Sequence, residues 1–571
     1  MSLLLTANND KKVSRRKFLK VGAGVVAVGV IGAAAYSLMQ QGSPTPAVNS
    51  TSVPASTSMA SLTSSQMAQL AQLTELSTEE YESLDPQFSG GTGADFSLAI
   101  NMYDRLFRPK IINGQEQPSP DLVTNYNVTP DGLTWTMNLQ QGVKFHDGTE
   151  LSADDVAWSF DRYLNFGKGF SYLYNGFIDP GNTTALDKYT VQFKFKLPYS
   201  PFPASLCRFY VLNKALVSQN ITGNDYGHGW LDSGNEAGSG PYTLTSVQPR
   251  EEVVLSQFPG YWKGWQPGNR VTQFHWKPII EIATMKTLLI SGQGDMDDGW
   301  MGADAYKSLV GQPNIVIERN PWIQSRVLSM NNQRMPFDDI HVRKAVSWAM
   351  DYNTYNSTLE YNARQGQGPV PIGLFGHDDS LFQYTQDYSK AKAELAQSKY
   401  SASELAAPIM VPSFNDNIKA VFLLAQQSFA PIGINLQLQD TTYTKMIASI
   451  TSGDPQQAPA MLWWGNTVKY PSPDSYLGAF ASSTWGTWQG QAWYKNKSYD
   501  DLLTQSRAET DQTKLLTEYS GLQKMVVDDA VMVWLSNPYS NVSIHNWVQG
   551  FTWLSCLGEF LYLPNFTITP H

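Results

Sequence analysis

The sequence predicts a chain of the α/β class, or α+β with mixed sheets, divided into two or three domains. Three observations carry that reading. Segments alternating apolar and polar residues stand beside segments with apolar residues at helical spacing. Strands and helices interleave throughout without a repeat period. About 500 of the 571 residues follow a low-complexity start, more than one hydrophobic core holds.

The first segment, 1–40, reads as an address. Lys11, Lys12, Arg15, Arg16, Lys17 and Lys20 surround "SRRKFLK", and Val21 to Met39 then carries no charge. A basic flank ahead of an apolar run is an export signal, and the paired arginines suggest the twin-arginine route. Ala33, Ala34 and Ala35 supply small residues for cleavage. Residues 21–39 are also long enough to span a bilayer, which needs roughly 20 residues, so a retained anchor is the alternative. Gly22-Ala23-Gly24 mimics a dinucleotide fingerprint, but it follows no strand. Residues 41–66, rich in Ser, Thr, Pro and Ala, form a linker that cannot bury enough surface to fold.

Within the body, Leu133, Trp135, Met137 and Leu139 alternate between the turn pairs Asp131-Gly132 and Asp147-Gly148, as a strand does. Ser152 opens a helix with Asp155 three residues on, a capping box, and Val156, Phe160 and Tyr163 share a face. Val191, Phe193, Phe195 and Leu197 alternate again. Gly238-Ser239-Gly240-Pro241-Tyr242 breaks the chain before a strand from Thr243. Asp338 or Asp339 caps a helix carrying Val342, Ala345, Val346 and Ala349, and Ser389 caps "SKAKAELAQ". Met461–Trp464 reads as a strand, Gly465-Asn466 as its turn, and the residues after it as a proline-stiffened loop.

The whole chain carries 40 Lys and Arg against 50 Asp and Glu. Setting aside the six basic residues and Asp10 of the first segment leaves a body of about −15. No basic patch stands out, which argues against nucleic acid. Cys207 and Cys556 are the two cysteines. Export permits a disulfide, and the sequence does not show whether they meet. Eight Asn-x-Ser/Thr sequons, at Asn49, Asn127, Asn182, Asn220, Asn356, Asn496, Asn541 and Asn565, admit glycosylation in a host equipped for it.

Seven segments in order resemble one family, the family 5 extracellular solute-binding proteins of ABC importers, which bind dipeptides, oligopeptides, nickel or oligosaccharides. "ESLDP" (Glu82–Pro86) is similar to the family's opening strand. "GVKFHDGTELSADDVAWSFDR" (Gly142–Arg162) is its most recognisable segment. "GSGPYTL" (Gly238–Leu244), "FPGYWKG" (Phe258–Gly264) and "MKTLLISGQGDMDDGW" (Met285–Trp300) follow. "MNNQRMPFDDIHVRKAVSWAMD" (Met330–Asp351) and "FAPIGINLQLQ" (Phe429–Gln439) complete the series. The resemblance implies a two-lobed periplasmic-binding-protein-like fold of type II, in its three-domain variant, with a hinge of crossing strands. Lobe 1 would join 67–110, 235–324 and 527–571, with a family-specific domain, 111–234, inserted. Lobe 2 would be 325–526. The implied protein is exported, acts as a monomer, carries no cofactor, performs no chemistry and docks on a membrane permease.

The resemblance places Trp464 in the cleft wall, with Trp463 turned the other way along the strand. In the family's peptide binders an aspartate ahead of an aromatic-x-x-Pro pairs with the peptide's amino terminus. Here Lys469 stands ahead of Tyr470-Pro471-Ser472-Pro473, and Asp474 falls beyond the prolines. A lysine repels an ammonium group. Trp463, Trp464, Trp485, Trp488 and Trp493 cluster, and flat rings suit pyranose faces. The primary expectation is therefore an oligosaccharide, with an oligopeptide as the alternative. Trp300 and Trp322 are candidates for a second wall, and Ser329 and Asn331 for polar contacts from the crossing strand.

A metal reading finds little support. His146-Asp147 and His377-Asp378-Asp379 lack ligand spacing, and Asp295, Asp297 and Asp298 miss the calcium-loop pattern because Gly299 takes the fifth position. A secreted glycoside-acting enzyme is the reading from a different class. It would need a carboxylate pair that no motif selects, and the chain has neither a Gly-x-Ser-x-Gly elbow nor a Walker A loop.

Overall fold

The computed structural model describes residues 71–571 apart from 89–92, 266, 267, 269, 414, 488, 557 and 558. The export segment, the linker and Trp488 lie outside the described residues. Among those described, no helix is long and apolar enough to cross a membrane.

A strand buried on both faces belongs in the middle of a sheet, and Gln72–Ser77 is one. It pairs in parallel with Gln273–Pro278 on one side and Met296–Asp297 on the other. The seven-stranded mixed sheet runs Ile315–Pro321, Tyr539–His545, Met296–Asp297, Gln72–Ser77, Gln273–Pro278, Glu252–Gln257, Tyr242–Gln248. Leu73, Phe274, Trp276 and Leu98 pack on one face. Leu76, Met285 and Leu289 pack on the other. The expected opening strand, "ESLDP", is instead an irregular segment that bends at Glu82 and Leu84 and enters a turn at Pro86. Its Asp85 accepts from Gln87 N and takes the buried Arg162 guanidinium at 2.6 Å, so the segment clamps a helix rather than joining a ladder.

The inserted domain has its own core. An antiparallel sheet of order Val123–Val128, Thr134–Leu139, Thr190–Lys194, Thr183–Asp187 packs under the helix Ala153–Phe166 through Trp135, Met137, Phe160 and Phe193. The capping box forms as expected, with Asp155 accepting from Ser152 N and Oγ at 2.9 and 2.7 Å. The last alternating strand is shorter than its pattern. It stops at Lys194, and Leu197, just before Pro198, is 55% exposed.

The second lobe carries an antiparallel sheet of order Arg364–Gln365, Met532–Asn537, Gln324–Met330, Met461–Thr467. The helix Asp416–Phe429, a turn at Gly433 (φ +82°) and the strand Leu436–Asp440 form the expected helix-to-strand return. Asp339 caps its helix by accepting from His341 N. The helix assigned to a Ser389 cap begins earlier, at Tyr388, because Asp387 accepts from both Ser389 N and Lys390 N.

Two links join the lobes. Strand Ile315–Pro321 pairs with Tyr539–His545 in the first sheet, and the same two chains then pair as Gln324–Met330 with Met532–Asn537 in the second. Between them the ladder breaks at Trp322, Ile323 and Pro538. Proline has no N–H to donate, and the bridges across are Trp322 N to Pro538 O at 3.0 Å and Asn537 Nδ2 to Gln324 O at 2.9 Å. A ribbon interrupted at one point is a hinge for rigid halves. The return link lies beyond Val526, so Met532–Asn537 belongs with the second lobe's sheet.

Cys207 and Cys556 are both buried. Arg208 lies by them, donating from Nη2 to Cys556 Sγ at 3.2 Å. Asn356 and Asn541 are buried sequons, so a glycan there would break the folded core.

Candidate functional site

A cavity of about 580 Å³ lies between the lobes, within the size range of small-ligand sites. The two sheets and the inserted domain all contribute to its walls.

On the first lobe, the central strand delivers Glu75 and Ser77 from the face that also carries Leu73. Glu75 stands opposite Trp276 and Met296 in the register. It is fully buried, and neither carboxylate oxygen has a hydrogen-bond partner. Burial, then the neighbouring Asp298 and Asp297, push its pKa well above the usual carboxylate range. Asp298 reaches the same cavity from the turn after the Met296–Asp297 strand. Its Oδ2 accepts from Thr78 N, Thr78 Oγ1 and Ser77 Oγ at 2.6, 2.8 and 3.1 Å. Glu79 is the third acid on this wall and accepts from Gly93 N at 3.2 Å, where the helix Gly93–Met102 begins. Burial followed by Asp298 raises its pKa. Asp297 lies behind, held by Tyr306 Oη and Ser543 Oγ. Burial and Asp298 push it up to about 7.

On the second lobe, the strand Met461–Thr467 carries Trp464, Gly465, Asn466 and Thr467 to the cavity, followed by Val468 and Lys469. The strand does not turn at Gly465 as the sequence suggested. It pairs with Gln324–Met330 through Thr467. Glycine is needed there for a different reason: a Cβ at Gly465 would collide with the Arg326 guanidinium crossing the neighbouring strand. Lys469 is 7% exposed. Its Nζ donates to Ser475 O at 3.1 Å and its N to Ser475 Oγ at 2.9 Å. Burial lowers its pKa to about 8, with Asp474 acting the other way. Behind it the buried Arg208 donates from Nε to Lys469 O at 2.6 Å, and Arg208 Nη1 has no hydrogen-bond partner.

Aromatic rings complete the enclosure. Trp300 and Trp322 meet edge to face, with centroids 4.7 Å apart. Phe170 and Tyr172 enter from the inserted domain, Tyr443 from the second lobe, and Trp553 and Phe560 from the carboxyl-terminal segment.

Of the sequence candidates, the cavity brings together Trp300, Trp322, Trp464 and Lys469. The others lie elsewhere, each with a physical reason. Trp463 points to the opposite face, where its Nε1 donates to Tyr355 Oη at 3.1 Å and its ring meets Arg326. Asp474 is buried under Arg507, accepting from its Nε at 2.8 Å and from Tyr470 Oη at 2.6 Å. Asn331 ties a loop by donating to Pro455 O at 2.7 Å. Ser329 is buried inside the sheet, between Leu462 and Met532 on the flanking strands. Trp485 donates to Tyr494 O and packs on Trp493.

Glu75, Glu79, Phe170, Tyr172, Tyr443, Trp553 and Phe560 were not selected from the sequence. One signal was present for Glu75: an acid in the middle of the buried strand "QLTELS" has no structural use there. The aromatic residues gave none, because a ring at a loop reads as core as readily as wall.

Two lobes, two crossing links and a walled cleft between them define a solute-binding protein of the two-lobed type. The comparisons with known proteins agree. The profile described as "Bacterial extracellular solute-binding proteins, family 5 Middle" matches residues 117–488. The chain belongs to this family: it is a substrate-binding protein of an ABC importer, acting outside the cytoplasm, and not an enzyme. It is 29% identical over 479 residues to the probable D,D-dipeptide-binding periplasmic protein DdpA of Escherichia coli K12, covering 82% of this chain and 89% of the relative. It is 27% identical over 506 residues to the dipeptide-binding protein of the same organism, covering 82% and 90%. The solved structure of the periplasmic binding protein DppA from Helicobacter pylori, in complex with the peptide STSA, superposes with a TM-score of 0.71 at 24% identity. It covers 87% of this chain and 98% of that one, a likeness of fold.

Proposed function

We propose that this protein captures a short peptide and hands it to the permease of its importer. The observation that carries the reading is the charge of the cavity: three carboxylates on one wall and Lys469 on the other. A peptide carries an ammonium and a carboxylate, whereas a neutral sugar has use for neither. The printed functions of the relatives, a D,D-dipeptide and a dipeptide, support the same class. The oligosaccharide reading rested on an aromatic cluster, and two of its members, Trp463 and Trp485, have their indole N–H groups engaged away from the cavity. We further read residues 1–40 as the export signal, with 21–39 as an anchor if it is retained. Fractionation of cells expressing the full chain checks this, and a soluble amino terminus starting after Ala35 would remove the anchor.

The test is titration of tryptophan fluorescence with di- and tripeptides, in L and D forms, and with a panel of oligosaccharides. Trp464, Trp300 and Trp322 supply the signal. Saturation by a peptide is expected. Saturation by a glycan and by no peptide would overturn the reading.

A further inference from the structure

The acids that line the cavity are distributed unevenly, and the unevenness has a consequence for how a ligand lies. Glu75, Glu79 and Asp298 all stand on the first lobe, while Lys469 is the single cation among the described residues that line the cavity. The second lobe's own acid near this place, Asp474, is closed off by Arg507 and Tyr470.

We propose that the Glu75–Glu79–Asp298 wall of the first lobe is a cation subsite that takes the ligand's α-ammonium, and that the ligand's carboxylate lies toward Lys469. The proposal rests on the peptide reading above.

Glu75 carries the inference. An acid cluster by itself is only a group of acids, and two of these three are held by hydrogen bonds from the protein. Asp298 accepts from Thr78 and Ser77, and Glu79 from Gly93. Glu75 differs. It is fully buried at the middle of a rigid sheet, lines the cavity, and has both oxygens without a partner. A buried polar group left unsatisfied is costly, and the cost is recovered when a donor arrives. An ammonium has three N–H donors and a positive charge. It satisfies Glu75 and offsets the negative charge of the wall, where a sugar hydroxyl supplies a donor but no charge. A metal ion fits less well. Among the described residues no group of three or more His, Cys, Asp or Glu is placed to hold one.

The opposite wall is built for the other charge. Lys469 lines the cavity, and Arg208 lies behind it with Nη1 unpartnered and Phe170 5.5 Å from its guanidinium. Lys469 faces a ligand end that is negative, with the Arg208 charge behind it. The ligand then lies with its amino terminus on the first lobe and its carboxyl terminus on the second.

The experiment is native mass spectrometry and calorimetry on the protein from residue 67 onward and on the full chain. The probe is a library of L,L- and D,D-dipeptides, each free, N-acetylated or C-amidated. N-acetylation is expected to weaken binding by about a hundredfold or more, since it leaves Glu75 facing an uncharged group. C-amidation is expected to weaken it less, and that loss should disappear in Lys469→Met. Glu75→Gln should bind free and N-acetylated dipeptides about equally. Acetylated dipeptides held as tightly as free ones by the native sequence would overturn the subsite and leave the peptide reading standing. Retention of no dipeptide in any form would remove the peptide reading itself. Should Glu75→Gln fail to fold by circular dichroism, the derivative series on the native sequence decides alone, with Glu79→Gln as the second variant.

Discussion

The two walls of the cleft differ in charge and in how they hold it: three acids line the first and Lys469 the second. On the second lobe, Asp474 and Lys469 both have partners within the protein, although Lys469 still lines the cavity. Asp474 is matched to Arg507, and Lys469 donates to Ser475. On the first lobe, Glu75 is left without a partner on a strand that cannot shift, because parallel neighbours hold it on both sides. A satisfied charge maintains shape, and an unsatisfied one waits for something to bind. The difference separates Asp474, which builds the cleft, from Glu75, which meets its contents.

The largest effect should come from the structural side. Asp474→Ala leaves the partly buried Arg507 guanidinium without its carboxylate; breaking a fully buried pair costs about 3–5 kcal/mol, and the 23% exposure of Arg507 puts this loss at the low end of that range. Urea denaturation is expected to show that loss, while the fraction still folded binds ligand with native affinity. If affinity fell and stability held, Asp474 would belong to the binding wall and the contrast would collapse. Glu75→Leu should act in reverse. Removing an unpartnered buried carboxyl is expected to stabilise the ligand-free protein by about 1–3 kcal/mol and to abolish peptide binding. A destabilised Leu variant would mean that the strand needs the acid for itself.

Acid should favour the ligand-free protein through the same wall. Asp297 has its pKa raised to about 7 by burial and by Asp298, and Glu75 is raised well above the usual carboxylate range by burial, Asp298 and Asp297. Unfolded, such groups release their protons near pH 4. The native state therefore holds protons the unfolded chain has lost. This contribution is fully present below the unfolded pKa and is lost as pH rises through the folded one. Thermal melts without ligand should rise from pH 7.5 to pH 5, at about 1.4 kcal/mol per pH unit for each proton held. The rise should be shallower in Asp297→Asn and Glu75→Leu. Equal slopes in native and variant proteins would refute the assignment.

Much of the frame was readable before the structure. Local rules suffice for the Ser152 capping box, the Asp339 cap and the alternation around Trp135, since neighbouring residues decide each of them. Misreadings arose where distant chain decided. "ESLDP" reads as a strand until Arg162 arrives to be clamped, and Gly465 reads as a turn until Arg326 is seen crossing it. For the site, Trp464 and Lys469 were found through family order and Trp300 through its loop. Glu75 was passed over because a strand acid is conspicuous only once its partners are known to be missing. Asp474 and Asn331 are polar residues near the cleft in sequence, but hydrogen bonds to Arg507 and Pro455 hold them elsewhere.

The smallest effect belongs to Lys469, and it tests the contrast from the other side. Burial lowers its pKa to about 8, so its charge is lost across the pH range where the measurement is easiest. A ligand carboxylate drawn to Lys469 favours the protonated form. Affinity for a free-acid peptide should then fall about tenfold between pH 7 and pH 9. The peptide's own ammonium also titrates near pH 8, so the useful quantity is the ratio of free acid to C-amide, in which that titration cancels. The ratio should fall with pH in the native protein and stay flat in Lys469→Met. A ratio independent of pH in both would place Lys469 with Asp474, as a residue whose charge serves the wall and not the ligand.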